Sequence, residues 1–130
     1  AACPTATLTS AKALAERAAA HLRKVGPAPA FAAFMDPKGG FMTGDLYVWV
    51  FDLEGVMVAN GRYPQYVGSQ LGAGDSLGNT IVSRALKETR GWVEYRWYSP
   101  CGQRLGPKIA WFVRVGRHVV GAGAYPRPGV

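Results

Sequence analysis

The sequence predicts an α+β domain in which five strands form one antiparallel sheet, with a long N-terminal helix and a second helix. Three observations support this class. The chain opens with apolar residues at helical spacing, continues with two short apolar runs joined by a turn, and ends with three β-branched and aromatic runs separated by turn residues. Because these strands follow one another through hairpin turns, the sheet is expected to be antiparallel, which with the helices gives α+β.

Length and composition place the chain among ordinary globular domains. Its 130 residues are enough for one domain with a sizeable core, and 48% hydrophobic with 18% charged residues argue against wholesale disorder. No apolar run approaches the roughly 18–20 residues that cross a bilayer. We therefore expect a soluble body, or one excised from a membrane-anchored parent.

The net charge indicates an acidic partner. Fifteen basic and eight acidic residues give a charge of +7, which raises the local concentration of anions. The basic residues are dispersed, and Arg23-Lys24 is the only adjacent pair, whereas nucleic-acid-binding domains usually show denser clusters. We therefore expect a solvated surface that favours anions, and no nucleic-acid partner.

Helical periodicity predicts a first helix over residues 8–25. Thr9 or Ser10 is expected to cap its start, and the Gly-Pro pair that follows is expected to end it. Residues 26–45 are rich in proline and glycine and predict mostly loop, with a short helical turn at 30–35. The apolar stripe of the helix falls at spacings of four, four and three, at Leu14, Ala18, Leu22 and Val25.

The remaining elements are predicted by β-type runs and one more helical segment. Residues 46–51 and 56–59 form a strand pair, and residues 60–75 form a long glycine-rich connection of the kind that tends to be functional. A second helix is expected at about 79–89, followed by three strands within 91–125.

Cysteine and histidine usage provides no metal or catalytic pattern. Cys3 and Cys101 form no Cys-x-x-Cys pair, so they are either a disulfide in an oxidising compartment or two unpaired thiols. His21 and His118 have no ligand spacing, and His118, in a predicted hairpin, is expected to be exposed to solvent. We therefore expect no metal, no cofactor and no enzymatic activity.

A series of short motifs follows in order along the chain: Lys24-Val25-Gly26, residues 44–55, Ala59-Asn60-Gly61, Pro64, Val67-Gly68, Asp75-x-x-Gly78, residues 91–97, Pro107-Lys108 and residues 121–125. With these motifs the chain resembles the single Cache family, the extracytoplasmic sensor domains of bacterial chemoreceptors and sensor kinases. The resemblance extends over nearly the whole chain, so residues 1–130 are interpreted as one Cache-like domain with a core of about 8–125.

The resemblance implies a PAS-like fold with a five-stranded antiparallel sheet, a long N-terminal helix behind it and a ligand cleft on the other face. Family members often bind small organic acids such as acetate, propionate, pyruvate or lactate. Two departures stand out. Many relatives carry a histidine where this chain has Asn60, and no membrane helix follows Tyr125, so we expect either a receptor fragment or a free-standing periplasmic binder.

Lys108 is the leading candidate for an anion contact. An ammonium that points into the cleft would pair with a carboxylate through charge-assisted hydrogen bonds. The alternative is a strand-edge lysine that discourages aggregation. Tyr95 and Trp97 share one strand face by the two-residue period, and their polar tips on apolar bodies suit a short acid with a methyl tail. The alternative for both is ordinary core packing.

Further candidates lie on other predicted elements. Tyr47 is preferred over Trp49 on the first strand, and Tyr125 either closes the pocket or finishes the sheet. Asn60 and Tyr63 begin the long connection, where Tyr63 and Tyr66 either line the cleft as a lid or are exposed loop tyrosines. Arg62 and Arg96 are alternative anion partners, with Arg96 on the strand face opposite Tyr95 and Trp97.

The functional hypothesis is a periplasmic sensor domain that recognises a small organic anion of the acetate, propionate, pyruvate or lactate class for signal transduction or chemotaxis. It would pass the change to its N-terminal helix, which admits a homodimer through that helix and a membrane-anchored receptor context. The alternative is a free-standing interaction or scaffold domain without a small-molecule ligand, in which side chains would fill the hollow.

Overall fold

The computed structural model describes residue 3 and residues 5–70, 77–102 and 104–125. It contains three α-helices, one short 3-10 helix and five strands within these residues, which confirms the predicted α+β class. In chain order they are α1 (Leu8–Val25), α2 (Pro27–Met35), β1 (Trp49–Asp52), β2 (Met57–Asn60), the 3-10 helix (Pro64–Tyr66), α3 (Leu77–Glu88), β3 (Arg90–Tyr98), β4 (Leu105–Val115) and β5 (His118–Ala124).

Helix α1 has the predicted bounds but a different N-cap. The cap is Thr7 rather than Thr9 or Ser10, because the Thr7 hydroxyl accepts the Ser10 amide at 3.0 Å while the Ser10 hydroxyl accepts the Thr7 amide at 2.9 Å. This reciprocal capping box satisfies two amides at the helix start. Gly26, at φ +86°, ends the helix as expected.

Helix α2 replaces most of a predicted loop. The nine residues Pro27–Met35 are helical, whereas only a short turn was expected. The backbone N–H groups of a first helical turn have no partner within the helix, so a proline there removes no helical hydrogen bond. The prolines therefore start this helix instead of breaking it. Phe31 of α2 lies edge-on against His118 at 5.3 Å between ring centroids. His118 is therefore half-buried, and the prediction of an exposed histidine was wrong.

The sheet has the strand order β2-β1-β5-β4-β3, and every neighbouring pair is antiparallel. The predicted meander β3–β4–β5 is present, and β5 lies between β4 and β1. The strand pair starts later than predicted, with β1 beginning at Trp49 and β2 at Met57. Residues 71–75 of the predicted long connection lie outside the described residues, and helix α3 begins at Leu77 instead of residue 79.

Each sheet face carries its own apolar cluster. Helices α1 and α2 cover one face, where residues such as Leu14, Ala18 and Leu22 pack against strand residues such as Val50 and Val113. Helix α3 and the loop after β2 cover the other face, whose buried residues are Tyr47, Trp49, Phe51, Met57, Ile81, Val82, Ala85, Val93, Ala110, Phe112 and Val119. Of the aromatic residues that sequence reasoning selected with Lys108, Tyr47 belongs to this second cluster, and Tyr95 and Trp97 are partly buried against it.

The Trp49 indole requires a glycine across the sheet. Trp49 pairs with Gly121 in the β1–β5 register, and a Cβ at Gly121 would overlap the six-membered ring of Trp49. We therefore expect Gly121→Ala to lower the free energy of unfolding by about 2 kcal/mol, because overpacking displaces a fully buried ring. Urea denaturation measures this change.

Gly106→Ala is the matched control for Gly121→Ala. Gly106 also lies in a strand, but a Cβ there meets no described atom within 4 Å. Its replacement is expected to leave the free energy of unfolding nearly unchanged. Equal destabilisation by the two substitutions would show that glycine flexibility, and not the contact with Trp49, matters at Gly121.

The two cysteines are joined in a disulfide. Cys3 and Cys101 are 98 positions apart in the sequence, so the bond ties the segment before α1 to the turn between β3 and β4. Of the two alternatives left open by the sequence, the unpaired thiols are excluded. A disulfide of this kind is typical of an oxidising compartment.

Candidate functional site: a buried lysine among aromatic rings

Lys108 is one of the largest fully buried side chains of the domain. It is the fourth residue of β4, and only 1% of its surface is exposed. A strand-edge lysine in solvent is therefore excluded. Gly123 on the adjacent strand β5, which pairs with Ala110, lies beside this side chain, and a Cβ there would lie 2.7 Å from the Lys108 Cε atom. The space that a glycine leaves on β5 thus accommodates the lysine stem.

Three tyrosine rings surround the Lys108 ammonium. Its Nζ atom lies 4.2 Å from the centroid of Tyr47, 5.2 Å from that of Tyr125 and 5.6 Å from that of Tyr95. It also donates a hydrogen bond to the Tyr47 hydroxyl at 2.9 Å. Sequence reasoning had selected all four residues from four different strand segments, and the fold brings them together.

Burial lowers the pKa of Lys108 to about 7, and the negative charge of Asp45 opposes this shift only in part. Among the described residues no carboxylate forms an ion pair with Lys108. Asp45 itself is buried and accepts hydrogen bonds from the Ser99 hydroxyl at 2.9 Å and the Cys101 amide at 2.8 Å. The ammonium therefore has a tyrosine oxygen as its hydrogen-bond acceptor and lacks a contacting counter-ion in the described part of the chain.

The tyrosines around Lys108 are held in their neutral form. Burial raises the pKa of Tyr47 and of Tyr95 well above the ordinary tyrosine value. Burial also raises the pKa of Tyr125. A neutral hydroxyl can donate a hydrogen bond, whereas a phenolate cannot. The Tyr125 hydroxyl already donates to the Tyr98 carbonyl at 2.7 Å, which leaves the Tyr47 and Tyr95 hydroxyls and the Lys108 ammonium as donors for an anionic oxygen.

Two buried indole N–H groups are further hydrogen-bond donors near Lys108. Trp49 Nε1 and Trp97 Nε1 are buried without a hydrogen-bond acceptor among the described residues. A buried donor without a partner costs roughly 1–3 kcal/mol. Such groups call for an explanation in terms of an absent water, ion or ligand.

A narrow cavity adjoins the tyrosine cage. Its volume of about 10 Å³ corresponds to roughly one water molecule. Its wall includes both unpartnered indoles and two cage tyrosines, within the set Tyr47, Trp49, Phe51, Met57, Asn60, Leu77, Tyr95 and Trp97. We call the cage (Lys108, Tyr47, Tyr95, Tyr125) together with this cavity the lysine hollow. Its own side chains nearly fill it, so a ligand larger than water requires one wall to move.

Tyr63 and Tyr66, at the two ends of the 3-10 helix segment, form one wall of the lysine hollow. The Tyr63 ring lies edge-on against Tyr47 and Trp97, with centroid separations of 5.9 and 5.7 Å, and Tyr66 lies 5.6 Å from Trp97. The Tyr63 hydroxyl donates to the Tyr98 carbonyl at 3.2 Å. Tyr63 is half-buried and Tyr66 is 38% exposed, so this wall separates the hollow from solvent.

Asn60 fixes the start of that wall. Its Oδ1 accepts the Tyr63 amide at 2.8 Å and the Arg62 amide at 3.1 Å, and its Nδ2 lies 3.5 Å from Met57 Sδ. The side chain is 1% exposed and borders the cavity. The side-chain carbonyl of Asn60 therefore holds the loop in place, and its NH₂ group is the part of the side chain left to face the lysine hollow.

We expect Asn60→Ala to loosen the Tyr63 loop. Two backbone amides lose their acceptor, which costs about 1–2 kcal/mol of stability. Hydrogen exchange should speed up at the Tyr63 amide. Gln65→Ala is the matched control, because Gln65 is an exposed amide side chain in the same segment. Unchanged exchange at Tyr63 in Asn60→Ala would contradict this assignment.

The arginine alternatives lie away from Lys108. Arg62 is exposed and donates from Nε to the Gly44 carbonyl at 3.2 Å. Arg96 is exposed, on the strand face opposite the half-buried Tyr95 and Trp97, as the alternation predicted. Sequence reasoning did not select Asp45 for the site and ranked Trp49 below Tyr47. No local pattern in the sequence identifies a buried carboxylate or an unpartnered indole.

Neither a metal-binding group nor a membrane-spanning helix is found in the parts of the chain that the structure describes. No group of three histidine, cysteine, aspartate or glutamate side chains there is arranged to hold a metal ion. No helix within the described residues is both long and apolar enough to cross a bilayer.

Comparison with solved structures agrees with this fold. A crystal structure of a methyl-accepting chemotaxis protein from Vibrio parahaemolyticus is 17% identical, with a TM-score of 0.73 over 90% of this chain and 86% of that one. A periplasmic sensor domain of a chemotaxis protein is 26% identical, with a TM-score of 0.65 over 92% and 90%.

A third structure, described as a Cache chemosensory domain that recognises carboxylic acids, is 18% identical, with a TM-score of 0.65 over 92% of this chain and 88% of that one. No curated protein matches the chain. The profile of the family named single Cache domain 2 matches residues 5–125. Since this match covers nearly the whole chain, the protein belongs to the single Cache domain 2 family.

Proposed function

We propose that this domain is the extracytoplasmic, periplasmic sensor part of a chemotaxis or signalling receptor, and that it recognises a small organic monocarboxylate in the lysine hollow. The observation that carries the proposal is a fully buried Lys108 ammonium within a cage of three neutral tyrosines. The family and its structural neighbours support the sensor role. The neighbour described as recognising carboxylic acids supports the class of ligand.

The chemistry of the hollow fits one carboxylate group. A carboxylate accepts up to about four hydrogen bonds, and here the Lys108 ammonium, the Tyr47 hydroxyl and the unpartnered Trp97 indole can supply donors. The rings of Tyr95 and Trp49 offer an apolar surface to a short tail. Acetate, propionate, pyruvate and lactate combine these two features at the smallest size.

Access to the hollow runs through the wall of Tyr63 and Tyr66. The present cavity has room for about one water, so binding requires these rings to swing away from Tyr47 and Trp97. The wall is a loop with a short 3-10 helix and no buried residue in that helix, which makes it the least costly part of the enclosure to move.

Strand β4 connects the hollow to α1. Lys108 faces the hollow, whereas Trp111 lies on the opposite sheet face and donates from Nε1 to Glu16 of α1 at 2.9 Å. Glu16 also accepts two hydrogen bonds from Arg90 of β3, at 3.0 and 3.1 Å. A ligand that favours one arrangement of these strands would therefore shift the position of α1. This role accords with dimerisation through α1 in a membrane-anchored receptor.

The second candidate function is an interaction or scaffold domain without a small ligand. The observation that favours it is the small free volume of the hollow, which its side chains nearly fill. The two candidates differ in whether any small acid stabilises the purified protein.

Calorimetric titration and thermal unfolding with acetate, propionate, pyruvate and lactate test the proposal, with acetamide as the neutral control. We expect at least one acid to bind at a single site and to stabilise the fold by roughly 2.7 kcal/mol at a hundredfold excess over its Kd. Acetamide is expected to do neither. If none of the acids binds or stabilises the fold, the monocarboxylate proposal is wrong and the interaction-domain alternative is favoured.

A further inference from the structure

A large cleft in the described part of the domain is separate from the lysine hollow. It has a volume of about 920 Å³ and lies between the segment that precedes α1 and the hairpin of β3 and β4. Lys108 and both unpartnered indoles are absent from its described wall, and Tyr125 is the one cage residue that it shares. This volume falls in the range of roughly 300–1,000 Å³ that is typical of small-molecule sites.

Two cations at this cleft lack a partner among the described residues. Arg96 of β3 and Arg104 of the following turn both line it. The ion pairs of the described residues join other arginines, Arg84 and Arg90, to glutamates. The Arg96 and Arg104 guanidiniums also form no hydrogen bond with any residue that the structure describes. A guanidinium offers five donors in a planar fork that matches a carboxylate.

The same cleft exposes apolar side chains to solvent. Leu8 is 44% exposed and Leu105 is 51% exposed, and both belong to its wall together with Pro107. Exposed apolar surface beside polar groups is typical of a binding site. The wall therefore combines positive charge with uncovered apolar area, which matches an amphipathic anion.

The walls of the cleft are fixed to each other. The Cys3–Cys101 disulfide joins the segment before α1 to the hairpin turn, so the two sides of the cleft are covalently linked. Asp45, 3% exposed at the cleft wall, holds the same turn through Ser99 and the Cys101 amide. Asp45 is the one acid in the described lining, and its Oδ1 atom is already occupied by these two donors.

We propose that this cleft is a second ligand site, which binds an organic monocarboxylate with an apolar chain too long for the lysine hollow. Arg96 and Arg104 bind its carboxylate, and Leu8, Leu105 and Pro107 cover its chain. The site stands independently of the proposed function, because it shares neither Lys108 nor the indoles.

Hexanoate is the probe, and amide chemical shifts of the isotope-labelled protein in about 0.15 M salt are the readout. In the unsubstituted protein we expect saturable shifts at Leu8, Arg96 and Leu105. The double variant Arg96→Gln, Arg104→Gln should weaken hexanoate binding roughly tenfold, because the charge-assisted hydrogen bonds are lost.

Two variants serve as matched controls. Arg23→Gln with Arg117→Gln removes the same charge from exposed arginines outside the cleft and should change hexanoate affinity less than about twofold, because distant surface charges are screened. Lys108→Met should abolish acetate binding while hexanoate still binds. A Lys108→Met protein that loses acetate binding but keeps hexanoate binding is the result expected for two separate sites.

Three results would overturn the second site. They are the absence of saturable hexanoate shifts, equal weakening by both arginine pairs, and loss of hexanoate binding in Lys108→Met. The last result would place hexanoate in the lysine hollow. Acetate titration of the unsubstituted protein separates these outcomes from failure of the proposed function.

Discussion

Lys108→Met is expected to abolish recognition of small carboxylates while the fold stays intact. Removing one partner of a buried, hydrogen-bonded charge pair typically costs 2 kcal/mol or more, so affinity for the best acid should fall at least about 30-fold. The fold should tolerate the change, because a buried ammonium without a counter-ion among the described residues is replaced by an apolar chain of similar length. Calorimetry and urea denaturation measure the two quantities.

Lys38→Met is the matched control for this substitution. Lys38 is exposed in the turn after α2, so its removal takes away the same charge without touching the hollow. Its affinity for the acids should remain that of the unsubstituted protein. If Lys108→Met bound the acids as tightly as Lys38→Met does, the anion contact would lie elsewhere.

Affinity for the acid should fall as the pH rises above neutrality. The pKa of Lys108 is lowered to about 7 by burial, and only its protonated form attracts a carboxylate. The acids have pKa values of about 5 or below and therefore remain ionised throughout. Binding should therefore be strongest below about pH 7 and weaken by roughly tenfold for each pH unit above it.

Calorimetric titrations between about pH 6 and pH 9 measure this slope. His118 is the other described group near neutrality with a shifted pKa; burial lowers it from 6.5, so His118 stays neutral above about pH 7. The tyrosines of the cage have raised pKa values and remain protonated across this range. Constant affinity from pH 6 to 9 would contradict the role assigned to Lys108.

Stability of the ligand-free domain should have the opposite pH dependence. The pKa of Lys108 is about 7 in the folded state and 10.5 in its ordinary state, so the unfolded chain binds more protons between these values. Stability therefore rises with pH across that window, and the cost of the buried charge is fully present below about pH 7. Urea denaturation at about pH 7 and 9 should show this rise in the unsubstituted protein and not in Lys108→Met.

Much of the fold could be predicted from local patterns. The stripe of α1 and the alternating runs of β3, β4 and β5 are strong periodic signals, and both predictions are confirmed. Helix α2 was missed because its prolines suggest a loop unless they are placed in a first turn. The late start of β1 at Trp49 depends on pairing with β5, which no local pattern contains.

The candidate site was predicted only in part. Lys108, Tyr47, Tyr95 and Tyr125 were selected together because a family resemblance connected distant strand segments, whereas their separation in sequence carries no such information. The burial of Asp45 depends on hydrogen bonds from a turn 54 residues away, at Ser99. The near-closure of the hollow by Tyr63 likewise depends on tertiary packing that a sequence pattern does not encode.

The titration of the Lys108 amine, followed by NMR of its ε-methylene carbon with and without saturating acid, tests the central claim most directly. Without ligand, we expect a pKa of about 7. With a bound carboxylate the pKa should rise by more than one unit, since the anion stabilises the ammonium. A pKa that stays the same when the acid is added would contradict a carboxylate bound to Lys108.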